Sequence, residues 1–351
     1  MTERKMATIR KIAEIKAIPE ADKICAYRVD GWWVVDTVEK YKVDDLVVYA
    51  EPDSWIPHEL APFLSKGHEP RTFNSIAGEK LKTVRLRGQL SQGLLMPLEP
   101  TCANIESMLF EGLDVSFPLN IQKWEAVIPS ELAGQAAGNF PRFIPKTDQE
   151  RCQNLYEDIF IKNADAYYEI TTKLDGTSFT AFYADKEEGV CSRNWELKLD
   201  GANENNSMVR MFIDSGLQSV FRQLNRNLAI QGELCGPNIQ ANKEQLKSVK
   251  LFVFDIFDID NNCYLIPSER HKLMEELWLF GVDRDMVQHV PVIAYSANLY
   301  DTLGITTMDQ LLKFADGPSL NAAIREGVVF KRIDGKFSFK AINNRWLLKN
   351  E

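Results

Sequence analysis

The sequence predicts two domains of different class, a small all-β barrel followed by a larger α+β domain. Three observations lead there. The 351 residues exceed the length over which one hydrophobic core usually keeps growing. The first third is written in short apolar runs separated by turn residues, whereas longer strands alternating with helical periodicity begin after Asp148.

In the first region the spacing predicts strands over Val34 to Val38, Leu46 to Tyr49, Lys82 to Leu86 and Gly93 to Pro97. Turn chemistry lies between them at Pro19 to Asp22, Asp44 to Asp45 and Pro52 to Ser54, and Arg87-Gly88-Gln89 reads as a basic, flexible loop. The barrel is placed at residues 1–120. Residues 121–147 mix Pro129, Pro141 and Pro145 with Gly134 and Gly138 and lack a sustained period, so they read as a linker packed against both domains. In the α+β domain, residues 148–351, the strands Tyr168 to Lys173 and Ser178 to Tyr183 are expected to pair, with Asp175-Gly176 near the turn. One helix is expected over Ser207 to Gln223, with Met208, Met211, Phe212 and Val220 near one face. A second is expected over Ser268 to Phe280 with Ser268 as N-cap, and a third over Met308 to Ala315.

Composition narrows the function. Charged residues at 26% and hydrophobic residues at 45% are ordinary globular values, and no apolar run approaches the roughly 18 residues of a membrane span, so no membrane partner is expected. The start of the chain has basic residues but no apolar core or cleavage site behind them, which predicts a soluble, intracellular protein of the cytoplasm or of a host-cell cytoplasm. Six scattered cysteines without a CxxC pair, and four histidines, argue against a zinc site or a disulfide framework. A net charge of -9 repels polyanions at long range, so any nucleic acid must be gripped by local basic patches.

The sharpest local feature is Lys173-Leu174-Asp175-Gly176-Thr177-Ser178, a lysine ending a strand and followed by a tight turn. An amine attacks phosphorus only when deprotonated, so such a lysine needs desolvation or a nearby cation to lower its pKa. Alone, the hexapeptide reads more readily as an exposed hairpin lysine. Its company changes that: Ser192-Arg193-Asn194, Gln231-Gly232-Glu233-Leu234, Phe252-Val253-Phe254-Asp255, Glu326-Gly327-Val328-Val329-Phe330-Lys331 and Ser338-Phe339-Lys340 follow in order.

This series resembles the nucleotidyltransferase motifs of polynucleotide ligases and capping enzymes, and it spans Lys173 to Lys340. The resemblance implies that Lys173 becomes adenylated by ATP and that Asp175 positions it or a metal-bound water. Thr172, Gly176, Arg193 and Phe254 are implied as nucleotide contacts, with Arg193 on the phosphate or the incoming 5′ end and Phe254 stacked on adenine. Phe254 also fits a core role, because Phe252 two residues earlier faces the same side of the strand. Glu233 and Glu326 are implied as ligands of Mg2+ or Mn2+. Lys331 and Lys340 are implied as contacts to the α-phosphate, although a solvated basic face with Lys336 and Arg345 is the plainer alternative. Many RNA ligases carry Lys-x-Lys in the last motif. Here Ser338 takes the first place, leaving open whether Ser338 or Lys336 fills that role.

DNA ligases and capping enzymes carry an OB barrel after the last motif, where this chain ends at Glu351. The barrel comes first here, an order similar to the RNA ligases of the Naegleria and Deinococcus type, with an N-terminal OB-like domain and a C-terminal nucleotidyltransferase domain. Asp30-Gly31-Trp32-Trp33-Val34-Val35, Lys42 to Tyr49, Pro145-Lys146-Thr147-Asp148, Glu150-Arg151 and Gln153-Asn154 add to the likeness. The resemblance implies an ATP-dependent RNA ligase joining 3′-hydroxyl and 5′-phosphate ends through lysyl-AMP, at nicks with RNA on the 3′-hydroxyl side and RNA or DNA across the nick. Neither an obligatory protein partner nor a membrane is implied. Lys82, Arg85 and Arg87 are candidate nucleic-acid contacts on the barrel, and a salt-bridged barrel edge is the alternative for each. A DNA ligase and a capping-type nucleotidyltransferase are the rival readings of the same motifs.

Overall fold

A computed structural model describes residues 5–105, 108–124 and 134–350. Within them the chain forms two compact units, one holding 5–105, 108–124, 152–159 and 347–350, the other 134–151 and 160–346. Part of the expected linker, 125–133 with Pro129, lies outside the described residues. None of the described helices is long and apolar enough to cross a membrane.

The first unit is built almost wholly from short antiparallel strands. In order these are β1 (Ala7–Lys11), β2 (Glu14–Ala17), β3 (Ile24–Val29), β4 (Trp32–Thr37), β5 (Leu46–Ala50), β6 (Ser54–Pro57), β7 (Arg71–Phe73), β8 (Ile76–Lys80), β9 (Val84–Leu86), β10 (Gln89–Ser91), β11 (Leu94–Pro97) and β12 (Gln122–Lys123). They pair as β1-β5-β11, β2-β3-β4, β12-β6-β8-β7 and β9-β10. Alternating residues of β1, β3, β4 and β5, among them Ile9, Tyr27, Val29, Trp32 and Val48, are buried and fill its interior. The expected strand over Lys82 to Leu86 begins at Val84 instead, and Arg87-Gly88 form the two-residue turn to β10, both with positive φ as a tight hairpin requires.

Two sheets form the second unit. The larger one runs β13 (Ala136–Asn139), β17 (Trp195–Leu197), β16 (Glu187–Cys191), β15 (Thr177–Ala184), β18 (Leu228–Cys235), β19 (Lys250–Asp258) and β20 (Cys263–Tyr264), with β21 (Val287–His289) parallel to β19. The smaller runs β22 (Val292–Asn298), β14 (Tyr167–Lys173), β23 (Gly327–Arg332) and β24 (Ser338–Ile342). The expected pairing of Tyr168 to Lys173 with Ser178 to Tyr183 is therefore wrong. β14 pairs with β22 and β23, while β15 pairs with β16 and β18. Asp175-Gly176 is not a hairpin turn but the point where the chain crosses from one sheet to the other, each strand being paired on both edges by other strands.

One face of the larger sheet is covered by helices. The single helix expected over Ser207 to Gln223 is two, Ser207–Asp214 and Leu217–Leu224, broken at Gly216, whose φ of 82° no interior helical residue adopts. Met208, Met211, Phe212 and Val220 still share a buried face against Phe179, Ile230 and Val253. The next helix spans Pro267–Leu279 and is capped from Ile266 rather than Ser268, since Pro267 suits the first helical position and the Glu269 carboxylate accepts from the Ile266 amide at 3.2 Å. The last expected helix is present as Met308–Phe314, capped by Thr307.

The smaller sheet needs close backbone approach where β23 meets β24. A Cβ on Gly327 would lie 2.3 Å from the Ala341 carbonyl oxygen. Gly327→Ala is expected to cost about 1–3 kcal/mol by forcing the strands apart, measured as a lower urea midpoint. An unchanged midpoint would show that β24 moves freely.

Candidate active site

Strand alternation aims the site. In the ladder of the smaller sheet Glu169 lies opposite Lys331, Thr171 opposite Val329 and Lys173 opposite Gly327, while Val329 also faces Lys340 and Lys331 faces Ser338. Residues directly opposite share a face, so Lys173, Lys331, Lys340 and Ser338 project to one side. The other side is filled by Tyr168, Phe330 and Phe339, with the last two rings stacked 4.6 Å apart.

The larger sheet adds Glu233 and Phe254 to the same cleft, which has a volume of about 290 Å³ and is lined also by Thr172, Gly176, Arg193 and Asp148. In β19, Leu251 and Val253 turn toward the helices and Phe252 toward the cleft. Gln231 then pairs with Asp255 but Gly232 with Val253, so Phe254 is the extra residue of a β-bulge. This puts Phe254 in the cleft wall and turns Asp255 to the same side of the sheet, where it meets Lys331, after which Ile256 returns to the helix side. Phe252 and Phe254 do share a side as expected, but they do different things. Phe252 is packed with Leu174, Cys235 and Val290, whereas Phe254 is half-buried in the cleft wall.

At the floor, Lys173 Nζ donates to Glu326 Oε2 at 2.6 Å, and the Gly176 amide donates to Glu233 Oε1 at 3.0 Å. Burial favours the neutral amine of Lys173, but the charges of Glu326, Glu233 and Asp175 outweigh it and hold the ammonium above its ordinary range. The lowered lysine pKa expected from the sequence is thus reversed in the protein alone. Glu233 is pushed up to about 7, chiefly by burial and by Glu326 against the opposing Lys173. Two partly buried carboxylates that both bear on a single ammonium suit a divalent cation, since their oxygens are hard donors.

The remaining predicted residues fall into place around this floor. Lys331 is buried, donates to the Phe254 carbonyl at 2.6 Å, pairs with Asp255 at 2.6 Å and lies 5.6 Å from the Phe254 ring centre. Burial lowers its pKa to about 8. Lys340 pairs with Asp148 at 2.9 Å, and the other oxygen of Asp148 is 3.5 Å from Arg193. Asp175 pairs with Lys243, whose ammonium also lies 4.8 Å from the Trp346 ring. Lys336 is not on the strand but in the turn before it, exposed, so it does not share the lysine face; Ser338 does. Lys82, Arg85 and Arg87 are exposed on the barrel unit, Arg85 on β9, Arg87 in the turn to β10 and Lys82 just before β9. The sequence reading missed Asp148, Lys243 and Asp255. Asp148 belongs to the stretch Pro145-Lys146-Thr147-Asp148, whose likeness to RNA ligases assigns it no role, Lys243 has no motif around it, and strict alternation would have turned Asp255 away.

A barrel unit joined to a two-sheet unit whose cleft gathers lysines and carboxylates is the architecture of a nucleotidyltransferase with an OB-fold domain. A family model described as RNA ligase matches residues 166–342, and an OB-fold domain model matches residues 6–98. Solved structures agree over the whole chain. Naegleria gruberi RNA ligase variants with AMP and Mn, and apo, each share 43% identity at TM-score 0.88, covering 99% and 100% of this chain respectively and 99% of theirs. The same ligase with PPi gives 43% identity, TM-score 0.87 and 99% coverage of both chains. No curated protein matched the sequence. The chain belongs to the RNA ligase family.

The two phenylalanines of the bulged strand separate packing from site. Phe252→Ala is expected to lower unfolding free energy by about 3–5 kcal/mol, and Phe254→Ala by clearly less, because only Phe252 is fully enclosed. Urea unfolding of both variants checks this, and equal losses would return Phe254 to the core.

Proposed function

We propose that this RNA ligase is ATP-dependent, carries AMP on Lys173 and joins a 3′-hydroxyl to a 5′-phosphate. The observation that carries the reading is the meeting, in one cleft, of the Lys173 amine with Glu233 and Glu326 and with two further lysines on the same sheet face. Structures of Naegleria gruberi RNA ligase variants with ATP and Mn point the same way.

In this reading residues 1–120 grip the polynucleotide through Lys82, Arg85 and Arg87, and residues 148–351 carry the chemistry. Adenine stacks on Phe254, with Thr172 and Gly176 beside the nucleoside and Arg193 at the phosphate end. Glu233 and Glu326 would hold Mg2+ or Mn2+, which when bound neutralises phosphate charge and competes with the Lys173 ammonium for these carboxylates. Released from Glu326 and having given its proton to water, the Lys173 amine forms a bond to the α-phosphorus as the bond to pyrophosphate breaks. Lys331 and Lys340 neutralise the charge that builds on the phosphates. Asp175 orients the amine. AMP then passes to a 5′-phosphate, and a 3′-hydroxyl displaces it. Free cysteines at Cys25, Cys102, Cys152, Cys191, Cys235 and Cys263 suit a reducing, intracellular setting.

Lys173→Ala is expected to abolish covalent labelling by radioactive ATP while still sealing some substrate that already carries a 5′-adenylate, since only the first step uses the amine. Retained labelling would remove Lys173 from its role.

The substrate is read as a nick with RNA on the 3′-hydroxyl side. A terminal ribose favours the A-form pucker and offers a 2′-hydroxyl to recognition, and both act at the attacking end. Replacing the last one or two sugars there by deoxyribose is expected to slow the final step under single-turnover conditions, while the same change across the nick matters little. Equal rates at both ends would overturn this preference.

A further inference from the structure

Behind the cleft wall lies a buried ionic cluster that the proposed chemistry leaves unused. Arg270, fully buried on the helix Pro267–Leu279, donates to a Glu169 oxygen from β14 and, through Nε, to His289 Nε2 at 3.0 Å. Its Nη1 lies 3.9 Å from Asp255 Oδ1, the oxygen that meets Lys331 Nζ at 2.6 Å. The second Glu169 oxygen meets His271 Nε2 at 2.6 Å, and the His271 and His289 rings stack 4.0 Å apart. Glu169, His271 and His289 stand close enough to suggest a metal site. The geometry rejects it: His289 uses Nε2 for Arg270 and Nδ1 for the Val290 carbonyl at 2.7 Å, and the guanidinium already supplies the positive charge.

Such a cluster is a poor device for stability, because desolvating several charges offsets most of their attraction. Its members come from both sheets and a helix and end on one functional group. Glu169 sits directly across the ladder from Lys331, and the bulge at Phe254 is what turns Asp255 toward it. We propose that Arg270 is a positioning residue that, through Asp255 and Glu169, fixes the place and charge of Lys331 for nucleotidyl transfer. This rests on the reading of the cleft as the site that takes AMP from ATP.

The electrostatics give the proposal a signature. Burial and Arg270 push Lys331 down, to about 8, against Asp255 and Glu169, which push it up. The other titratable groups on the elements around it are His271 and His289, which contact Glu169 and Arg270, Lys340 on β24, held by Asp148, and Tyr264 on β20 near Asp255. His289 is held down to about 3, mainly by burial and by Arg270, and burial pushes the Tyr264 hydroxyl up, so neither changes charge near pH 8. Lys331 must be protonated to neutralise phosphate, so ATP binding weakens as pH rises through its pKa, a range in which the Lys173 ammonium, held above its ordinary value, keeps its proton. Removing the Arg270 cation moves that weakening to higher pH, and removing the Asp255 carboxylate moves it to lower pH.

The test measures the Kd of ATP across neutral to alkaline pH, which follows the charge of Lys331, together with kcat for covalent AMP transfer at neutral pH. The full-length protein is compared with Arg270→Gln, Arg270→Lys and Asp255→Asn. Expected are alkaline limbs displaced in opposite directions for Arg270→Gln and Asp255→Asn, a loss of about tenfold or more at neutral pH carried by kcat, and partial recovery with a limb near the wild-type position in Arg270→Lys. Coincident limbs, or limbs displaced the same way, overturn the proposal, since a purely structural role lowers activity without opposite shifts. If Arg270→Gln does not fold, Asp255→Asn decides alone, and an unshifted limb there overturns it. Wild-type protein that takes no AMP would instead refute the functional reading.

Discussion

Glu233 and Glu326 both bear electrostatically on the Lys173 ammonium, and that attraction opposes the repulsion between two partly buried carboxylates in the cleft. Glu326 immediately precedes β23, whose Gly327 is the ladder partner of Lys173, while Glu233 sits on β18 of the other sheet and accepts from the Gly176 amide. The short run from Lys173 to Gly176 is therefore held by a carboxylate from each sheet as the chain crosses between them. Everything else in the cleft is placed relative to that crossing. The same interaction explains why the amine is strongly protonated in the protein alone, and why a competing cation and the chemistry of this lysine are coupled.

Side-chain exposure differs among the lysines of the cleft, from 9% and 12% at Lys331 and Lys340 to 27% at Lys173. Lys331 and Asp255 are buried, fixed by ladder pairing and by the bulge, and backed by Arg270. Lys340 is slightly more open and leans on Asp148, and Arg193, on the other oxygen of Asp148, has a side chain 45% exposed. Groups that meet the fixed part of a nucleotide are thus preorganised. Those nearer the mouth hold weaker, water-screened contacts that an incoming strand end can exchange.

Much was legible in the sequence because the information was local. The order of the motifs tied Lys173, Lys331 and Lys340 to Glu233 and Glu326, whereas their shared face is set by the register of β14, β23 and β24. Short runs between turn residues revealed the barrel, and the buried stripe of Met208, Met211, Phe212 and Val220 was correct even though the helix carrying it is broken at Gly216.

What the tertiary structure decided was pairing and charge. Adjacent strands in sequence suggested a hairpin at Asp175-Gly176, but β14 and β15 lie in different sheets, each paired on both edges by other strands. The bulge at Phe254 depends on how β18 and β19 register over their full length, so the inward turn of Asp255 left no mark in the residue pattern. The direction of the Lys173 shift could not be read either, because a pKa is set by distances to Glu326, Glu233 and Asp175, and those distances exist only once both sheets have closed around the lysine. The sequence determined which groups could do the chemistry; folding determined their partners, because hydrogen-bond registers and buried charges are properties of segments far apart in the chain.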